Sequence, residues 1–250
     1  MTSEQVHEVM DEQRRLYYLD KMGIQAWQLK TPKPGNIKPG PDKDLSSLQP
    51  EQVPATSGSA DTHPLSSLED LRRVVAACTL CDLHHTRTQT VFGTGHPNAD
   101  WMVIGEAPGF EEDRQGEPFV GRAGQLLTKM LLAIGLEREK VFIANILKCR
   151  PPGNRDPQQL EIAHCRPYLH QQVMLIQPKI ILAMGRIAAQ ALLETHTSIG
   201  RLRGIKHWYE DTQIPVVATY HPAYLLRSPQ QKRKAWEDLK FAVRILESQG

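Results

Sequence analysis

Four short apolar runs, residues 101–104, 141–144, 179–183 and 216–219, alternate with stretches of helical periodicity. Runs that are apolar at consecutive positions are strands covered on both faces, and their alternation with helices is the mark of a parallel sheet between helical layers. Between the first two runs Leu126, Leu127, Met130, Leu131 and Ile134 recur at helical spacing, with Gly135 as a stop. Residues 187–193 form a second helix by the same pattern. The chain closes with a third over 230–248, in which Trp236, Leu239, Val243 and Leu246 share one face and are expected to pack on the core. The expected fold class is α/β: three layers, α/β/α, around a central four-stranded, mainly parallel sheet.

This pattern begins only near residue 68. Residues 31–67 are dense in Pro, Gly, Ser and Asp and are expected to be a flexible linker, with residues 1–30 a tail ahead of it and 68–250 the folded domain. The tail carries Leu16, Leu19, Met22, Ile24 and Trp27, too few apolar anchors for a core of its own, so it is expected either to dock on a partner protein or to pack onto the folded part. With 40% hydrophobic and 23% charged residues the composition is that of a globular protein, and a net charge of +2 says little about partners. The start has no signal-peptide pattern and no apolar run reaches membrane-spanning length. A cytoplasmic monomer away from any membrane is therefore expected.

Ligands of open α/β sheets sit at the carboxyl ends of the strands. Just past the four runs stand Gly105-Glu106-Ala107-Pro108-Gly109, Asn145, Gly185-Arg186 and Tyr220-His221-Pro222. Asn145 offers a donor and an acceptor that match the edge of uracil and mismatch cytosine; an Asn satisfying its own turn is the alternative. His-Pro occurs three times, but only His221 directly follows a strand, and it leads into Ala223-Tyr224-Leu225-Leu226-Arg227, an apolar wedge ending in a cation. Lys148, Arg150 and Arg155 punctuate a basic loop suited to phosphates. Residues 110–124 form a long, charged, Gly-rich segment bearing Phe110 and Phe119, either of which could stack on a base.

The four cysteines, Cys78, Cys81, Cys149 and Cys165, form one possible ligand set. The two-residue gap of the first pair suits a shared metal centre, while the second pair lies 16 positions apart, and nearby His84, His85 and His164 keep zinc open beside an iron-sulfur cluster.

Together these residues resemble the family 4 uracil-DNA glycosylases, a bacterial and thermophile class with a 4Fe-4S cluster. The resemblance spans residues 68–248 and rests on Gly105-Glu106-Ala107-Pro108-Gly109, Glu117-Pro118-Phe119-Val120-Gly121-Arg122, Asn145-Ile146-Leu147-Lys148-Cys149-Arg150 and His221-Pro222-Ala223-Tyr224 in family order. It implies an enzyme that releases uracil from DNA, single- or double-stranded, and leaves an abasic site. Cys78, Cys81, Cys149 and Cys165 would hold the cluster; Phe119 would stack on uracil, Asn145 read its edge and His221 act near O2. Gly105, Ala107 and Gly109 would line the pocket, and Glu106 hold or orient water. Lys148, Arg150, Arg155, Leu225 and Arg227 would contact DNA. Ala107 stands where other uracil glycosylases carry a water-activating aspartate. A non-catalytic iron-sulfur or zinc protein that binds DNA is the competing reading. The tail resembles, over a dozen residues, a peptide of the psi subunit of bacterial DNA polymerase III, which implies a replication or repair partner.

Overall fold

The computed structural model describes residues 67–249 and, ahead of them, Leu16, Tyr17, Leu19 and Asp20, all in one compact unit. The expected linker lies outside the described residues apart from Ser67. That serine belongs to the domain: its Oγ accepts the Asp70 N–H at 3.1 Å and caps helix α1, Leu68–Ala76.

All four expected strands are present, as β2 (Trp101–Gly105), β3 (Phe142–Asn145), β4 (Ile180–Met184) and β6 (Pro215–Thr219). They pair in parallel in the order β3-β2-β4-β6. Among the described residues the sheet has six strands rather than four, because short antiparallel strands flank the parallel ones: β1 (Thr94–Gly95) beside β3 and β5 (Lys206–Trp208) beside β6. Neither is continuously apolar. Edge strands with a solvated face need not be, so they leave no apolar run in the sequence.

Successive residues of the central strands feed opposite layers. Met102, Ile104, Ile181 and Ala183 pack with α1, α4 (Gln159–Ile176) and α5 (Arg186–Leu192), while Trp101, Val103, Ile180 and Leu182 pack with α3 (Arg122–Ala133), α7 (Pro222–Arg227) and α8 (Lys232–Glu247). That two-sided burial explains the uninterrupted apolar runs. The remaining helices are short, α2 (Phe110–Gln115) inside the segment expected as loop and α6 (Ile199–Leu202).

The closing helix packs on the core as expected: in α8 Leu239 is buried with Ala235, Asp238, Ala242 and Ile245, and Trp236, Val243 and Leu246 pack half-buried against the same layer. The 18-residue α4 was not expected at all. Its buried positions, Glu161, Cys165, Leu169, Gln172, Val173 and Ile176, keep helical spacing, but half are polar or cysteine and Pro167 interrupts the run. Of the tail, Leu19 is buried in the core layer of α3 and α8, and Tyr17 is exposed. The packing alternative therefore holds at Leu19; the rest of the tail lies outside the described residues.

Candidate active site and cysteine pocket

Parallel pairing of β2 with β3 sets Gly105 directly beside Asn145. The glycine is required by its neighbours: a Cβ there would come 2.4 Å from Asn145 Oδ1 and 2.6 Å from Phe119 Cζ. Phe119 thus leans over the strand ends, and its ring centroid lies 5.5 Å from that of His221. Asn145 is buried, with 2% of its surface exposed. Four of the expected site residues, Gly105, Phe119, Asn145 and His221, are brought together where three separate strands end.

His221 caps α7, its Nδ1 accepting the Ala223 N–H at 3.1 Å. Desolvation pushes its pKa down to about 4; Arg227 adds to the effect and Glu112 opposes it. The ring is therefore neutral near pH 7, and with Nδ1 used as an acceptor the single proton sits on Nε2. Glu106, half-buried, has its pKa raised to about 7 by desolvation and by repulsion from Asp156, with Arg186 opposing. Ala107 packs against the core layer of α1 and α4, and Gly109 caps α2 beside the Glu112 carboxylate. Glu112 escaped the sequence reading. Its Oε1 accepts the N–H groups of Val120 and Gly121 at 3.0 Å each, a link between segments that no local pattern reveals.

The expected DNA contacts divide. Lys148 is not on the surface: with 1% of its surface exposed, it donates to the Asn145 carbonyl at 2.8 Å and to Gln172 Oε1 at 2.6 Å. Burial pushes its pKa down to about 7, and no phosphate can reach it. Leu225 is likewise in the core, 1% exposed, so it is no wedge; its neighbours Leu226 and Arg227 are exposed. Arg150 reaches solvent, bonded to Asn154 Oδ1 at 2.7 Å and placed over the exposed Phe110 ring at 5.1 Å. Arg155 grips the carboxylate of Glu161 with both nitrogens, at 2.9 and 2.5 Å, so much of its guanidinium is committed.

All four cysteines line one small pocket, with Arg87, Lys148, His164 and Tyr168. Cys165 arrives on α4, and Cys149 lies in the loop after β3. Arg87 Nη1 donates to Cys149 Sγ at 3.1 Å. Burial raises the thiol pKa of Cys81 and Cys149, and that of Cys165 to about 12.

Residues 92–240 match the family model of the uracil DNA glycosylase superfamily. The chain is similar to the type-4 uracil-DNA glycosylase of Archaeoglobus fulgidus, 45% identical over 70% of this chain and 92% of the relative. It is also similar to that of Sulfurisphaera tokodaii, 46% identical over 70% of this chain and 83% of the relative. That of Thermotoga maritima is 40% identical over 73% of this chain and 96% of the relative. The chain belongs to the uracil DNA glycosylase superfamily and, within it, to the type-4 family. Among the described residues no helix is long and apolar enough to cross a membrane.

Proposed function

We propose that the protein hydrolyses the N-glycosidic bond of deoxyuridine in DNA, releasing uracil and leaving an abasic site, as a cytoplasmic repair enzyme. One observation carries this: an aromatic ring, a buried amide and an imidazole whose Nδ1 accepts a backbone N–H meet at the strand ends. A base held there is flipped from its strand, stacked on Phe119 and read by Asn145, whose amide donates to one uracil group and accepts from another.

Bond cleavage leaves negative charge on the departing base and positive charge on the sugar. The His221 Nε2–H, already free of positive charge and held by its cap, donates to the uracil O2 as charge develops there. Ala107 removes the usual water-activating carboxylate, so the burden falls on stabilising both charges, with DNA phosphates facing the sugar. Glu106, ionised above about pH 7, orients the water. Arg150 and Arg227, both solvent-accessible, contact phosphates.

Cys78, Cys81, Cys149 and Cys165 suit a 4Fe-4S cluster: a complete thiol set surrounds one pocket, with Arg87 bonded to a ligand sulfur. The cluster would serve as architecture, since base excision moves no electrons. Its ligands would tie α4 and the segment after α1 to the loop that follows Asn145.

Release of uracil from a uracil-containing oligonucleotide tests the reading. Asn145→Asp places acceptors against uracil acceptors and is expected to cut excision about 100-fold or more, since a buried mispaired group costs a few kcal/mol. Excision unchanged by Asn145→Asp would remove the amide from base recognition.

A further inference from the structure

Phe119 holds a backbone conformation that a bulky side chain seldom adopts, with φ at +54°. Such a conformation persists only where the surroundings impose it. Here they do so on both sides of the residue. Ahead of it, Arg138 Nη2 donates to the Pro118 carbonyl at 2.5 Å. Behind it, the Val120 and Gly121 N–H groups both donate to Glu112 Oε1 at 3.0 Å. Gly121 caps the N-terminus of α3, so the carboxylate also faces the positive end of that helix. One turn further on, Gly124 leaves room for the Phe119 carbonyl; a Cβ there would stand 1.7 Å from that oxygen.

Glu112 lies on α2, directly after the Gly105–Gly109 loop, and a Cβ on Gly109 would come 2.7 Å from its Oε2. One carboxylate thus joins the loop leaving β2 to the peptide that aims the Phe119 ring over Gly105 and toward His221. We propose that Glu112 and Arg138 are positioning residues that clamp Phe119 in its left-handed conformation and so set the aromatic wall of the uracil pocket. This rests on the reading of Phe119 as the stacking wall.

The test uses the full chain and compares inhibition by free uracil, affinity for an abasic-site oligonucleotide, and melting temperature. Loss of two charge-assisted hydrogen bonds in Glu112→Ala is expected to weaken uracil inhibition about tenfold, or about 1.4 kcal/mol, with abasic-site affinity within about twofold. Glu112→Gln keeps an oxygen for both amides and is expected to restore inhibition to within about twofold of the parent. Arg138→Met, which frees the Pro118 side, is expected to weaken uracil inhibition in the same direction. Uracil inhibition unchanged in Glu112→Ala, or uracil and abasic-site affinity falling equally, would overturn the clamp. Should Glu112→Ala fail to fold, Glu112→Gln and Arg138→Met decide alone: a Gln variant without rescue, or a Met variant with parental inhibition, overturns it. Phe119→Ala separates the two ideas, since parental uracil inhibition in that variant would remove the stacking wall itself.

Discussion

Glu106 and His221 owe opposite pKa shifts to the same cause, removal from water. For Glu106 the folded pKa, about 7, lies above the usual carboxylate value of 4.5. The folded state therefore holds the proton longer than the unfolded chain, and stability from this group is lost as pH rises from 4.5 to about 7. Activity runs the other way. If the carboxylate orients water, single-turnover excision rises with pH through about 7, and Glu106→Gln abolishes that rise; a parental profile flat across this range would exclude the role. His221, with its pKa at about 4 against a usual 6.5, costs stability as pH falls between those values and stays neutral above them. Lys148 marks the limit of reading residues one at a time. Its basic loop suggests phosphate, but its partner Gln172 comes from α4, a helix the sequence did not announce. Lys148→Ala is expected to cost about 2–5 kcal/mol of stability, by cavity formation and by stranding its two acceptors, without changing the salt dependence of DNA binding. Arg150→Ala is expected to do the reverse, lowering the slope of log affinity against log salt by about one at unchanged stability. Salt titrations of binding and denaturant melts of the two variants distinguish these outcomes.

At the scale of elements, α7 shows how six residues serve two purposes. Leu225 turns into the core against α3 and α8 while Leu226, 37% exposed, faces outward beside Arg227. Leu225→Ala is expected to cost about 2–5 kcal/mol of stability. Leu226→Ala is expected to leave melting unchanged and to slow excision from duplex DNA more than from single strands, because only a duplex leaves a gap to fill. Equal loss on both substrates would take Leu226 out of the duplex. The strands that carry the site were legible because complete burial leaves continuous apolar runs, and each ends in residues of distinct chemistry, such as Asn145 and His221. The edge strands β1 and β5 were not, since one solvated side erases the signal, and α4 was hidden because its buried face carries Glu161, Cys165 and Gln172. These residues are buried for partners elsewhere: Glu161 pairs with Arg155, Gln172 with Lys148 and the Phe92 carbonyl.

Across the molecule, the sheet sets two centres on neighbouring segments. β3 ends at Asn145, and four residues later Cys149 enters the cysteine pocket, with Lys148 between them bonded to the Asn145 carbonyl. A cluster at the cysteines would brace the strand end that would read the base, which would be a reason for an enzyme without redox chemistry to carry such a site. What the whole arrangement is for reduces to one group acting on one bond. The most direct test is single-turnover release of uracil from one oligonucleotide by the parent chain and by His221→Ala, alongside binding of the same DNA. Loss of a hydrogen bond to the developing anion is expected to slow release by about 100- to 1,000-fold while affinity changes by less than about threefold. No uracil release by the parent chain, or a His221→Ala variant that loses binding and rate in equal measure, would contradict the account.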